Sequence, residues 1–176
     1  ISISCQSTNE TLRLLDDNKI DIGLIGKPNT LKNINFYYLD NIKDVFVANK
    51  EYLRNLSARG IKKNEILENS TLMLLDKNNM TRQYIDDYLQ ENQIEVADTI
   101  DISNMDLLID FAKIGVGVAC VIKSFVAKEL ANGTLVEIPL GIPIHEREVG
   151  FAYKETVNPS NSLLEFVDFF KSYNPE

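Results

Sequence analysis

The chain has 176 residues, of which 44% are hydrophobic and 25% charged, a balance typical of a globular protein with one large domain or two small ones. Its net charge of −8, without any dense run of Lys or Arg, disfavours direct binding to nucleic acid. Its apolar runs fall short of the roughly 20 residues that cross a bilayer, and its start lacks the basic and apolar regions of a signal peptide.

The N-terminal part of the chain predicts a strand, a helix and a second strand. Residues 1–5, ISISC, alternate apolar and polar side chains as a strand does. Ser7 or Thr8 can cap a helix through residues 9–17, where a glutamate in the first turn favours the helix dipole. Residues 20–26, IDIGLIG, predict a buried strand.

The next segment predicts a loop followed by two strands. The loop is expected at residues 27–29, Lys-Pro-Asn, because proline interrupts regular structure there. The strands are expected at about 34–39 and 42–48, joined at residues 40–41. Residues 62–69, KKNEILEN, predict a short helix.

The middle of the chain carries the clearest patterns. Residues 70–76, STLMLLD, are nearly all apolar and predict a strand buried on both faces of a parallel sheet. Residues 95–101 predict another strand. Between them, residues 80–92 predict an amphipathic helix whose apolar side chains recur at helical spacing: Tyr84, Ile85, Tyr88 and Leu89.

The last third continues the alternation of helices and strands. A helix over residues 103–117 can begin at Ser103 or Asn104 and end at Gly115. Further elements are expected in this order: a strand at 118–122, a helix at 123–133 that ends at Gly133, strands at 135–140 and 147–155, and a closing helix at 161–173. Repeated strand–helix–strand units predict an α/β fold, a parallel sheet with helices on both faces.

Ligands of open parallel sheets bind beyond the carboxyl ends of the strands, near helix N-termini. Polar side chains follow three of the predicted strands at such points. Each group also suits an ordinary helix cap, so capping and ligand binding both stay open for them. The three groups are Gln6-Ser7-Thr8, Asn79-Met80-Thr81-Arg82 and Ile102-Ser103-Asn104.

Arg82 has two interpretations. Its guanidinium could hold a ligand carboxylate through two parallel hydrogen bonds. It could equally pair with Asp86, four residues further along the same helix. A cation in the first turn is unfavourable for the helix dipole, so either partner would have to offset that cost.

Residues 114–119, IGVGVA, contain a Gly-x-Gly that does not fit a nucleotide loop. A dinucleotide fingerprint follows a strand and opens a helix, whereas these glycines close a helix and open a strand. A tight helix-to-strand turn is therefore the favoured interpretation. The same test excludes a nucleotide loop at Gly23 and Gly26.

The remaining reactive side chains do not form a catalytic pattern. His145 is the single histidine and has no metal-binding or nucleophilic partner at a recognised spacing. Cys5 and Cys120 are far apart without a CxxC motif, which favours two buried, reduced thiols in a cytoplasmic protein, although a disulfide stays open. No cofactor or metal ion is expected, and a binding module is favoured over an enzyme.

Three stretches resemble the effector-binding domain of LysR-type transcriptional regulators. They are TLRLLDDNKIDIGLIG at residues 11–26, LMLLDKNNMTRQYIDDYLQEN at 72–92 and ISNMDLLIDFAKIGVGVACVI at 102–122. Their order, spacing and closing strand and helix cover nearly the whole chain. Two features depart from the family: Val121-Ile122-Lys123 stands where Leu-Pro is usual, and the chain begins at what resembles the family's second strand. Since it also lacks an initiator Met, we expect a piece of a longer protein.

The resemblance implies two Rossmann-like subdomains of the type II periplasmic-binding-protein fold, joined by two crossover strands. Subdomain I would comprise residues 1–26 and 146–176, without the family's first strand and helix, and subdomain II residues 31–141. The crossovers would lie at residues 27–30 and 142–145. A small effector, suggested to be anionic by the helix N-termini and Arg82, would bind in the cleft between the subdomains.

The resemblance also implies a sensing role without enzymatic activity. The chain would form a homodimer or tetramer and would bind DNA only through an N-terminal helix-turn-helix that is not in this sequence. A solute-binding protein of a transporter, or a small α/β enzyme using Asp76 or His145, is the alternative. The candidate ligand residues are Ser103, Thr81, Arg82, Asp76, Asn104, Gln6 and Ser7.

Overall fold

A computed structural model of the chain describes residues 1–28, 30–154 and 160–172. The chain divides into two compact units, Ile1–Asp40 with Glu148–Glu176, and Asn41–Arg147. The predicted boundaries, with crossovers at 27–30 and 142–145, differ from these and stay a prediction. Asn29, which belongs to the first predicted crossover, lies outside the described residues.

The helices and strands alternate along much of the chain. The helices are α1 (Thr8–Asp16), α2 (Lys50–Ala58), α3 (Met80–Glu91), α4 (Met105–Lys113), α5 (Ala127–Asn132) and α6 (Asn161–Ser172), with 3₁₀ helices at Lys63–Glu65 and Lys123–Val126. The strands are β1 (Gly23–Gly26), β2 (Ile34–Ile42), β3 (Asp44–Asn49), β4 (Thr71–Leu75), β5 (Asp98–Ile102), β6 (Val118–Ile122), β7 (Leu135–Glu137) and β8 (Arg147–Lys154).

The smaller unit is built on a three-stranded sheet of order β1-β8-β2, in which β1 and β8 are antiparallel. Its core contains Leu15, Ile25 and Ala152. The aromatic rings of Phe151 in β8 and Phe170 in α6 pack on each other, with their centroids 4.2 Å apart. α1 begins where Ser7 accepts a hydrogen bond from the amide of Glu10, which confirms one of the two predicted caps.

Two predictions for this unit are wrong. Residues 1–5 form no strand in the structure and are exposed, because alternation makes a strand only where a neighbouring strand takes up its backbone hydrogen bonds. β1 is buried on one face only, since Leu24 is 59% exposed while Ile25 is buried. It is an edge strand of its sheet within the described residues rather than a fully buried one.

The larger unit is built on a five-stranded sheet of order β5-β4-β6-β3-β7. β4 runs parallel to β5 and β6, whereas β3 is antiparallel to β6 and β7. The expected parallel sheet is therefore mixed, because β3 enters it from the opposite end. β2 and β3 belong to different sheets, and the break between them falls at Lys43 rather than at residues 40–41.

Both faces of this sheet are buried, as the apolar run of β4 predicts. On one face Leu72 and Leu74 pack with side chains of α2 and α3. On the other face Met73 and Leu75 pack with side chains of α4 and α5. One local prediction differs from the structure, because residues 62–69 form only a short 3₁₀ helix and turns, and α2 lies in a segment for which the sequence predicted no element.

The predicted helix-to-strand turn at residues 114–119 is confirmed. Gly115 has a φ of +81° just after α4, a conformation that glycine adopts without strain. A Cβ on Gly117 would lie 2.4 Å from the backbone oxygen of Thr71, so only glycine lets these two backbones approach so closely. Both glycines serve packing and chain direction.

Candidate functional site

The strands of the larger unit bring several polar residues to one edge of its sheet. Because β4, β5 and β6 are parallel, their carboxyl ends meet there, and Asp44 joins them because it pairs with Ile122 in antiparallel register. α3 and α4 begin at the same edge. We call this region the carboxyl edge and define it by Asp44, Asp76, Thr81, Arg82, Ser103, Asn104 and Arg147.

Asparagines cap the two helices at the carboxyl edge. The Asn79 side chain accepts from the amide of Thr81 at 2.9 Å. The Asn104 side chain accepts from the amide of Leu107 at 2.8 Å. Asn104 is therefore the cap of α4, and the exposed Ser103 lies one residue before that cap. Thr81, in the first turn of α3, is half-buried.

Arg82 is a buried structural cation, with a side chain that is 5% exposed. Its guanidinium donates to Asp86 at 2.7 Å, to Asp101 at 2.5 Å and to the Leu75 carbonyl at 2.9 Å. Burial lowers the pKa of Arg82, but the hydrogen bonds to Asp101 and Asp86 outweigh it, so the pKa lies above its ordinary value. The predicted pairing with Asp86 is confirmed, and contact of Arg82 with an effector stays a prediction.

A second buried ion pair, Asp44 with Arg147, is absent from the sequence predictions. Nε and Nη2 of Arg147 donate to the two Asp44 oxygens at 2.7 and 2.9 Å. The side chains are 10% and 0% exposed, respectively. Burial raises the pKa of Asp44, and Arg147 offsets that shift only in part. One signal was available, because Asp44 opens an otherwise apolar strand, but its partner lies 103 residues away.

Arg147 and two tyrosines connect α3 to the segment at residues 142–147. Nη2 of Arg147 donates to the Thr81 hydroxyl at 3.3 Å, and its guanidinium carbon lies 5.2 Å from the ring centroid of Tyr84. The Tyr84 hydroxyl donates to the His145 carbonyl at 3.0 Å. The Tyr88 hydroxyl donates to the Ile142 carbonyl at 2.6 Å. The sequence predicted the tyrosines as an apolar face and missed these bonds.

Five of the predicted site residues thus lie at the carboxyl edge, and two lie in the smaller unit. There Gln6 is exposed and Ser7 caps α1. The side chain of Asp76 is exposed just beyond β4. The ligand role of all seven stays a prediction.

The other candidates have structural or unremarkable surroundings. Both cysteines are free thiols, but Cys5 is exposed rather than buried as expected, whereas burial raises the pKa of Cys120. His145 is exposed. Among the described residues, no three or more His, Cys, Asp or Glu side chains form a group that could hold a metal ion. Within the same residues, no helix is long and apolar enough to span a membrane.

The sequence matches the family model of the LysR substrate binding domain over residues 1–175. It is 24% identical over 170 residues to the HTH-type transcriptional regulator YeiE of Escherichia coli K12. That match covers 96% of this chain and 57% of YeiE, so the chain spans little more than half of this relative. The alternatives of a solute-binding protein and an enzyme are not favoured by these matches.

Solved structures of regulatory domains have the same fold. The apo regulatory domain of HypT from Salmonella typhimurium has a TM-score of 0.79 at 16% identity, over 97% of this chain and 80% of that domain's chain. The regulatory domain of CcmR from Synechocystis PCC6803, solved with 2-PG, has a TM-score of 0.79 at 15% identity, over 96% of this chain and 80% of that chain. The effector-binding domain of QuiR, solved with shikimate, has a TM-score of 0.75 at 16% identity, over 93% of this chain and 76% of that chain.

Proposed function

Because the chain belongs to the LysR substrate-binding domain family, we propose that it is the effector-sensing part of a bacterial transcription regulator, with a small polar effector bound at the carboxyl edge. One observation carries the choice of place. Two helices begin at this edge, each with an accessible or half-buried hydroxyl at its start: Thr81 on α3 and Ser103 before α4. First-turn amides and hydroxyls together suit the acceptor oxygens of a small anion.

Three cations near this edge are already engaged in ion pairs. Arg82 pairs with two aspartates and Arg147 with Asp44. Lys123 pairs with Glu137 at 2.7 Å. These three cations would therefore contribute little to binding an effector's negative charge, whereas helix N-termini and hydroxyl donors remain available. This favours an effector of low charge with several acceptor oxygens, and it gives Arg82 the role of holding Asp101 and the end of β4.

The relatives support such an effector without identifying it. QuiR is described with shikimate and CcmR with 2-PG. In our proposal the effector binds one conformation of this domain better than another and so shifts the population between them. The full-length protein would act in the cytoplasm as a homodimer or tetramer, would contact DNA through a helix-turn-helix outside this chain, and would not catalyse a reaction.

Native mass spectrometry of the purified chain, followed by titration of the identified metabolite, tests the proposal. Thr81→Val and Ser103→Ala should each weaken binding by roughly tenfold, because one hydrogen bond to a charged or polar ligand is lost. Ser57→Ala is the matched control, because the Ser57 hydroxyl bonds the Leu53 carbonyl within α2. Unchanged affinity in both Thr81→Val and Ser103→Ala would show that the effector binds elsewhere.

A further inference from the structure

One face of α3 holds the segment at residues 142–147 through three side chains. Thr81, Tyr84 and Tyr88 are spaced three and four residues apart and so share one side of the helix. Along that side they contact Arg147, the His145 carbonyl and the Ile142 carbonyl in turn. α3 and the segment therefore contact each other at three successive points along their lengths.

The hydroxyls of Tyr84 and Tyr88 are not required for packing of the apolar core, and their hydrogen bonds go to the segment instead. Tyr88 is 8% exposed and packs in the core beside Leu89, which the ring of a phenylalanine would also achieve. Residues 142–146 form neither helix nor strand, so their carbonyls have no ladder to bond to. Ile142 and His145 are exposed, so water could also bond their carbonyls; the two tyrosine hydroxyls instead tie these carbonyls to α3.

Arg147 fixes the far end of the segment. Its two hydrogen bonds to Asp44 connect the last residue of the larger unit to the first residue of β3, near the start of that unit at Asn41. The same guanidinium donates to Thr81 and stacks on Tyr84. Both places where the chain enters and leaves the larger unit are thereby connected to the first turns of α3.

The geometry points to α3 as the element that transmits a displacement of its N-terminus to residues 142–147, with Arg147 as the positioning residue for Thr81. The functional meaning rests on the proposed function, in which an effector meets the N-terminus of α3. The mechanical coupling itself is a property of the chain without any ligand. It can therefore be measured separately.

The experiment perturbs the start of α3 and observes the segment by ¹⁵N–¹H NMR of the ligand-free chain. Asn79→Ala removes the cap of α3, so we expect the amide resonances of residues 142 and 144–147 to shift. Asn104→Ala removes the equivalent cap of α4 and is the matched control, for which we expect those resonances to stay in place.

A second experiment introduces Asn79→Ala into a variant that lacks three hydroxyls of α3, and so tests whether these hydroxyls carry the coupling. With Thr81→Val, Tyr84→Phe and Tyr88→Phe combined, we expect the shifts caused by Asn79→Ala to fall by about half or more, as coupled sites are non-additive. Thr81→Val alone, a milder change, should reduce the shift at residues 145–147. Tyr52→Phe is the control background, because the Tyr52 hydroxyl accepts from the amide of Thr71, which lies outside the segment.

Three results would overturn the inference: no shift in the segment with Asn79→Ala, equal shifts with Asn104→Ala, or shifts that persist undiminished when the hydroxyls are deleted. Because no ligand is present, none of these outcomes depends on where an effector binds. Conversely, failure of the effector titrations would leave the measured coupling intact.

Discussion

Arg147→Met should destabilise the larger unit by about 3–5 kcal/mol at pH 7. The substitution keeps the apolar stem but leaves the carboxylate of Asp44, which is 0% exposed, without its cation. Removing one partner of a buried ion pair typically costs this much because the remaining charge cannot regain water. Against a domain stability of about 5–15 kcal/mol, the variant would be folded but marginal.

The loss should depend on pH with a definite sign. Burial already raises the pKa of Asp44, and Arg147 lowers it, so removing Arg147 raises the pKa further. A carboxyl whose folded pKa lies above its unfolded value favours the folded state below the unfolded pKa, and this advantage is lost as pH rises through the folded pKa. The deficit of Arg147→Met relative to the parent should therefore shrink as pH falls from 7 through the raised pKa of Asp44 in the variant.

Urea unfolding followed by circular dichroism at several pH values measures this deficit. The control introduces Arg147→Met into Asp44→Asn and measures the deficit relative to Asp44→Asn; residue 44 cannot ionise in either protein, so the contribution of Asp44 to the pH dependence is removed and the deficit should be independent of pH. A loss below about 1 kcal/mol at pH 7, the range of exposed pairs, would refute the reasoning. So would a deficit that stays constant as pH falls.

Arg82→Met should cost less than Arg147→Met, about 1–2 kcal/mol in the same urea assay, because Asp86 and Asp101 are 46% and 40% exposed and regain water when the cation is removed. An equal or larger loss would contradict that ranking. Gly117→Ala should lower the free energy of unfolding by about 1–3 kcal/mol, seen as a lower thermal midpoint, because its Cβ would lie 2.4 Å from the Thr71 carbonyl oxygen. Gly141→Ala, where nothing lies within 4 Å, is the control and should change stability by less than about 0.5 kcal/mol; similar midpoints in both would argue against the close backbone approach.

Patterns within one element predicted the parts of the fold that local physics controls. The apolar run of β4 and the helical spacing of Ile85 and Leu89 indicated their elements, and both are buried as expected. Gly133 closes α5 in the left-handed conformation, as its position after the helix predicted. The order of these elements predicted the α/β class, and the resemblance of three stretches to LysR-type regulators predicted the family; both predictions are confirmed.

Alternation by itself misled where a strand depended on distant partners. Residues 1–5 have the pattern of a strand and form none in the structure, whereas β2 forms but joins the sheet of the smaller unit. The antiparallel entry of β3 beside β6 has no local signature either. Pairing of strands is decided by backbone hydrogen bonds between segments far apart in the chain.

The candidate site likewise combines features that are local in the sequence with contacts between residues far apart in the chain. The sequence by itself determined which polar side chains follow the strands, because caps and strand ends are local features, and it placed Thr81, Ser103 and Asn104 at helix starts. Only the tertiary structure decided that Asp44 and Arg147 form a buried pair, since neither charge has a partner within its own element. The cost of burying an unpaired charge makes that pairing strongly favoured once the chain folds, but it leaves no periodic pattern in the sequence.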